Sequence, residues 1–218
     1  MINSDFIIVL AWPEGKTTAA GAWYDRLFAT NGKYRVGHSA LILINSENKE
    51  LLYFDFGRYH TPTGFGRVRD RETDPDVIIP ISAEIEDNRI KNIEEILIHT
   101  KNKKANHGEG KLYASVLKNV NFISSYKFAK KIQEQGVIPY GPFVIKGSNC
   151  SRFVSATIRK SKLNLIKNLR LLFPFSLSPS PKRNVSISNN NYYVVEKNKI
   201  EKIKRNKING YFRGIERK

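Results

Sequence analysis

The chain has 218 residues, with 37 Lys or Arg against 20 Asp or Glu, a formal net charge of +17, and one cysteine. One cysteine excludes an intramolecular disulfide framework and a cysteine-rich zinc site, but leaves room for a single reactive thiol. A hydrophobic content of 40% excludes a wholly disordered chain, and the length suits one ordinary domain with an appendage.

The first apolar run, Phe6 to Trp12, follows Asp5, where a secretion signal would carry Lys or Arg. No stretch reaches the roughly 20 apolar residues of a membrane span. The expected location is the cytoplasm, with export by an unusual route left open. Residues 5–12 read as a buried strand. Thr17 or Thr18 is placed to cap a helix running to about Ala29, with Gly32 just after it. Tyr34 to Ile44 and Leu51 to Phe56 read as strands, and Asn45-Ser46-Glu47-Asn48-Lys49 between them makes the pair a hairpin. Val77 to Ile81 reads as a short strand. Ile90, Ile93, Ile96 and Leu97 form one stripe of a helix near 89–101. Phe122, Tyr126 and Ala129 do the same near 122–135, with Gly136 as its stop. Ile138 to Val144 reads as another strand, and Cys150 opens a helix carrying Phe153, Val154 and Ile158.

This mixture predicts an α+β fold: an antiparallel sheet packed against helices. The charge divides the chain. Ser155 to Lys218 holds 16 Lys or Arg and three acids, a net +13, whereas Met1 to Val154 holds 21 against 17, a net +4. The expected organisation is a body over 1–160 and a basic C-terminal extension over 161–218. The extension is expected to be partly ordered, because Leu163, Leu165, Ile166, Leu169, Leu171, Leu172 and Phe173 are too apolar for a pure linker.

Three residues stand out for chemistry. Cys150 follows Gly147-Ser148-Asn149, a loop ending in a capping residue, so its sulfur falls in the first turn of a helix. Unpaired N–H groups and the helix dipole there favour the thiolate; the alternative is a small buried hydrophobe. His38 opens the strand Gly37 to Ile44 on the face of Ala40, Ile42 and Ile44, as a structural histidine or as a base aimed at a cleft. Asp55 is the one acid inside Leu51 to Phe56 and needs a partner there. If the hairpin centres between Glu47 and Asn48, residue 40 faces residue 55, and His38 becomes the diagonal neighbour of Asp55 on one face. Asp55 then orients the His38 ring in a nucleophile–base–orienter set; the alternative is a solvated acid paired with Arg58 or Arg35.

Other segments are candidates for the cleft. Asn106-His107-Gly108-Glu109-Gly110 is a Gly-rich loop able to line it, supply a base or bind substrate. The stretch from Gly57 to Pro75 is long for a connection and holds Arg58, Arg67, Arg69 and Arg71 beside Asp70, Glu72 and Asp74. It reads as a lid or anion clamp, or as a solvated loop of paired charges. Arg58, Tyr59, His107, Glu109, Asn149 and Ser151 are the candidate substrate-binding residues. Four separated histidines without nearby carboxylate spacing argue against a metal site, and no cofactor is called for.

Gly37-His38-Ser39-Ala40, an acid on the next strand, and a much later Asn149-Cys150-Ser151 with Phe153-Val154 opening a helix together resemble the circularly permuted papain-like group. That group includes permuted NlpC-type peptidases, YiiX-like proteins and lecithin retinol acyltransferase-like enzymes. Its histidine strand precedes its cysteine helix, as His38, Asp55 and Cys150 do here. Phe54 to Tyr59 and Tyr140-Gly141-Pro142-Phe143 are similar to an uncharacterised bacterial family of this kind. The resemblance covers about 34–160. It implies attack of the Cys150 thiolate on an amide, ester or thioester, with His38 moving the proton and a peptide, acyl or glycopeptide-like substrate. The Cys150 backbone N–H would serve the oxyanion. Position 144, where unpermuted papain-like enzymes carry a glutamine, is Val144, so the second oxyanion donor is not identified. Two other classes stay open: a binding module for peptide, glycan or lipid on the same fold, and a basic protein that meets nucleic acid or an anionic membrane surface through its extension. No nucleic-acid motif accompanies that extension.

Overall fold

The structure is a computed structural model that describes residues 5–18, 31–35, 37–172 and 180–206. Strands β1 (Asp5–Trp12), β2 (Lys16–Thr18), β3 (Lys33–Arg35), β4 (His38–Ile44), β5 (Leu51–Gly57) and β6 (Phe65–Arg69) come first. The short strands β7 (Ile85–Glu86) and β8 (Arg89–Ile90), helix α1 (Ile93–Asn102), strand β9 (Leu112–Val120), helix α2 (Phe122–Gln133) and strand β10 (Ile138–Pro139) follow. Helices α3 (Cys150–Arg159), α4 (Leu165–Leu171) and α5 (Pro181–Ser188) precede the hairpin β11 (Tyr192–Glu196) and β12 (Lys199–Ile203).

Eight strands form one antiparallel sheet in the order β10-β6-β5-β4-β1-β9-β11-β12. The expected α+β architecture, a sheet packed against helices, is what the chain adopts. β1 lies near the centre. Its run Phe6 to Trp12 is fully buried and does not alternate, because both sheet faces are covered. On one face Ile7, Val9, Leu41, Leu43, Phe54 and Phe56 pack against Phe153, Val154 and Ile158 of α3 and Val185 and Ile187 of α5. On the other, Phe6, Ile8, Leu10, Ala40, Ile42, Ile44 and Tyr53 pack against Ile93, Ile96 and Leu97 of α1.

The hairpin register follows the expectation: Ala40 pairs with Asp55 and Ile42 with Tyr53. The stripe of α1, the helix at 122–133 and the Cys150 start of α3 also match the reading from periodicity. Several boundaries differ for local reasons. The strand expected over 34–44 is broken at Gly37, whose φ is +67°. Thr17 and Thr18 belong to β2, and the helix expected after them falls outside the described residues. Val77 to Ile81 is not a strand. Pro75 starts a 3₁₀ turn over Pro75–Val77, and the next contact with the sheet is a lone bridge from Ser82 to Glu50. Pro139, Gly141 and Pro142 cut the strand expected over 138–144 to two residues. Four strands of the eight-stranded sheet, β6, β9, β11 and β12, are additions to the sequence reading.

Among the described residues no helix is long and apolar enough to cross a membrane. Nor is any group of three or more His, Cys, Asp or Glu side chains arranged to hold a metal ion.

Gly37 fixes where β4 begins, and so where His38 points. Its N–H donates to the Gly15 carbonyl at 2.9 Å, and a Cβ at this position would lie 2.5 Å from the Trp12 carbonyl oxygen. Gly37→Ala adds that clash to a left-handed backbone. The expected loss is about 1–3 kcal/mol, seen as a lower midpoint in thermal unfolding; an unchanged midpoint would show that the turn relaxes freely.

Candidate active site

The end of the sheet where β4 starts and β1 and β5 finish carries the polar residues. Trp12 pairs with His38 across β1 and β4. Asp55 pairs with Ala40 on one side and Arg69 of β6 on the other. Asp55 is fully buried, which an unpaired carboxylate could not sustain. The structure matches it group by group. Arg69 donates to it twice, from Nε at 3.0 Å and Nη2 at 2.7 Å. The Tyr53 and Tyr59 hydroxyls donate to Oδ2 at 3.1 and 3.0 Å. His38 Nε2 lies 3.0 Å from the same oxygen. Burial alone would raise the Asp55 pKa, but the bonds and charges of His38 and Arg69 overcome it and hold the carboxyl well below the usual range.

His38 is caged as well as paired. Its ring stacks on Trp12 with centroids 5.8 Å apart and meets Tyr59 edge-on at 6.4 Å. The Tyr59 hydroxyl lies 3.4 Å from Nε2. Only 12% of the His38 side chain is exposed, on the side of the cleft. Burial pulls its pKa down, but hydrogen bonds and charge from Asp55 and Cys150 raise it to about 9.

Cys150 comes to this point from the opposite layer. α3 packs on the sheet face away from Asp55, but its first turn reaches past the sheet end. Asn149 caps the helix, its side-chain oxygen accepting from the Arg152 N–H at 2.9 Å. The buried thiol is pushed up by desolvation, and the hydrogen bond and charge of His38, the Ser39 backbone N–H and the Tyr140 hydroxyl together bring its pKa below the ordinary value. Tyr140 Oη donates to Sγ at 3.9 Å. With Nε2 committed to Asp55, the ring nitrogen left to face the sulfur is Nδ1. Tyr140 itself stacks on Phe56 at 5.6 Å, and burial with the neighbouring sulfur raises its own pKa, so it stays a donor at neutral pH.

A cleft of about 570 Å³ opens beside His38, lined by Gly37, Gly57, Arg58, Tyr59, His107, Glu109 and Tyr140, among others. Of the candidate substrate-binding residues, Arg58, Tyr59, His107 and Glu109 meet there. Arg58 stands over the Tyr140 ring at 5.7 Å, and His107 stacks on Tyr59 at 5.3 Å. Asn149 and Ser151 are buried at the helix start instead. The Asn149 side-chain oxygen caps α3, and the Ser151 carbonyl accepts from Asn184 Nδ2 at 2.9 Å.

Reading the sequence missed Arg69, Tyr53, Ser39 and the contact of Tyr140. Arg69 was visible only as one of four arginines in the stretch after Gly57. The structure puts it in β6, directly across from Asp55, so the solvated pairing with Arg58 or Arg35 gives way to a buried fork from Arg69. The Arg69 guanidinium also lies 3.4 Å over the Tyr59 ring and donates to the Ala105 carbonyl at 3.0 Å, which ties the segment before His107 to the site.

The type VI secretion system effector TseH-like family matches residues 7–165. The chain belongs to this family. The crystal structure of the type VI secretion system effector TseH superposes with a TM-score of 0.64, over 93% of this chain and 99% of that one, at 18% sequence identity. That likeness concerns the fold. A search of curated proteins finds no match. The TseH-like chain thus has the circularly permuted papain-like architecture, with the histidine strand early and the cysteine helix late.

The raised His38 pKa makes stability depend on pH. The folded ring holds its proton to about pH 9, whereas an unfolded histidine releases it near pH 6.5. The contribution is therefore full below about pH 6.5 and is lost as pH rises toward 9, by up to about 3 kcal/mol. Urea unfolding of the native chain across pH 6–9.5 should show this decline, and His38→Gln should flatten it. An equal slope in the variant would assign the decline to other groups.

Proposed function

We propose that this TseH-like protein is a thiol-dependent hydrolase or acyltransferase, delivered as an effector, that opens an amide, ester or thioester bond in a peptide or glycopeptide-like substrate. The observation that carries the reading is the His38 ring set between a buried, fully matched carboxylate and the sulfur at the start of α3. The Asp55 carboxylate holds Nε2 and favours the imidazolium, and the imidazolium favours the Cys150 thiolate.

In this reading the thiolate attacks the substrate carbonyl carbon, forming a C–S bond and an oxyanion. The Cys150 backbone N–H and the Tyr140 hydroxyl are the donors closest at hand for that oxygen, so Tyr140 fills the role for which position 144 offers only Val144. His38 Nδ1 gives its proton to the leaving amine, alcohol or thiol as the C–N, C–O or C–S bond breaks, leaving a thioester on Cys150. Water, or an acceptor amine, then loses a proton to His38 and attacks the thioester. Collapse expels the thiolate, and the pair is restored. Asp55 stays ionised throughout and keeps the ring in one orientation. Arg58, Tyr59, His107 and Glu109 would meet the substrate along the cleft.

Iodoacetamide alkylation across pH tests the pair. A free thiol near pKa 8.5 is about 3% thiolate at pH 7. The alkylation midpoint of Cys150 in the native chain is expected to lie below the free-thiol value. In His38→Ala the midpoint should move toward the free-thiol value, with the rate at pH 7 falling by about tenfold or more. A native midpoint at the free-thiol value, unmoved by His38→Ala, would sink the proposal. Tyr140→Phe should retain alkylation but lower turnover of acyl or peptidyl substrates by about 100-fold; unchanged turnover removes Tyr140 from the oxyanion site.

A further inference from the structure

Between Glu134 and Glu196 the chain has 61 residues with nine Lys or Arg and no Asp or Glu. α4 lies in the middle of this acid-free stretch and packs in an unusual way. Its Leu165, Ile166 and Leu169 are 71%, 57% and 43% exposed, whereas Leu171 is 1% exposed. At 100° per residue the first three share an arc about 100° wide, and Leu171 falls opposite. The helix therefore meets its packing needs with Leu171 and turns three large aliphatic side chains outward, side by side. Scattered single apolar residues are ordinary on a surface; a cluster of three on one short helix marks a contact site.

The surroundings of the cluster are cationic. Lys160 and Lys162, just before the helix, are exposed. On α4 itself Arg170 borders the apolar arc, whereas Lys167 turns toward the packed side beside Leu171. Lys167 Nζ donates inward to the Ser188 carbonyl at 2.6 Å and helps to seat α4 on α5. Aliphatic side chains gain nothing from a phosphodiester backbone, and the three outward residues of α4 are aliphatic, with no face on which a base could stack. Aliphatic residues rimmed by lysine and arginine match the boundary between charged headgroups and acyl chains.

We propose that α4 and the loop before it dock the protein onto an anionic phospholipid surface. Leu165, Ile166 and Leu169 enter the headgroup–acyl boundary, and Lys160, Lys162 and Arg170 face the lipid phosphates. α3 separates this surface from the cleft: the sulfur lies at its first residue, and α4 follows from its last, about 15 Å away along the axis. A docked molecule keeps the cleft open. The inference does not depend on the chemistry proposed for Cys150.

Co-sedimentation of the full chain with large unilamellar vesicles tests it. Vesicles of phosphatidylcholine with phosphatidylglycerol should bind the protein, pure phosphatidylcholine vesicles should bind it far less, and added salt should weaken binding. The triple variant Leu165→Ser, Ile166→Ser, Leu169→Ser should lower partitioning by about tenfold or more, with circular dichroism and Cys150 alkylation unchanged. A Lys160→Gln, Lys162→Gln variant should reduce binding and its salt dependence. No binding to the anionic vesicles, or equal binding by the triple variant, overturns the proposal. So does tighter binding to a random-sequence RNA that the triple variant retains, which would make the surface a nucleic-acid contact.

Discussion

A carboxylate sealed inside a sheet is the constraint around which this end of the molecule is arranged. Asp55 has no access to solvent, and ionised burial of that kind is tolerated only when donors and an opposite charge replace the lost water. Two hydrogen bonds from Arg69, one each from Tyr53 and Tyr59, and the contact with His38 do so, four of the five on Oδ2. Each partner comes from a different place in the chain: the same strand, the next strand, the preceding strand and the segment just after β5. The register of three strands is thereby tied to one charge. A one-residue slip of β4 or β6 would turn a partner to the other face and leave the carboxylate unmatched.

Much of this arrangement could be read from residue types. The turn chemistry of Asn45 to Lys49 set the hairpin, and the hairpin set the diagonal between His38 and Asp55. Asn149 ahead of an apolar period marked where α3 begins, and so where the sulfur lies. What stayed hidden depended on tertiary partners. Arg69 is one charge among many in a Gly-containing, charged stretch, and only pairing with β5 turns Phe65–Arg69 into a strand. β9 carries Ser115 and Lys118 in a run without clean alternation. Ser115 is tolerated at the core because its hydroxyl finds the Val185 carbonyl at 2.8 Å, a partner 70 residues away. Val77 to Ile81 has the β-branched composition of a strand, but Pro75 precedes it and Pro80 interrupts it, and proline chemistry outweighed propensity.

The two helical layers serve different ends. α1 closes the face that carries Asp55 and Tyr53, keeping water from the carboxylate. α3 closes the opposite face with Phe153, Val154 and Ile158, and the same packing sets its first turn beyond the sheet end. The polar cluster thus draws on both layers. The basic surplus of the chain is concentrated in the sequence after Glu134, whereas the arginine that matches Asp55 comes from β6, so the charge that dominates the composition is not the charge that orders the site.

This sharing between layers has a consequence for the reactivity of the sulfur. Nothing local to Cys150 supplies the imidazolium; it arrives only when α3 is seated on one side of the sheet and the β4–β5 hairpin is complete with Arg69 on the other. A chain in which those layers are apart carries an ordinary thiol, only a few per cent ionised at neutral pH. The proximity of imidazole and sulfur is thus a property of the closed fold, and no short segment of the chain carries it alone.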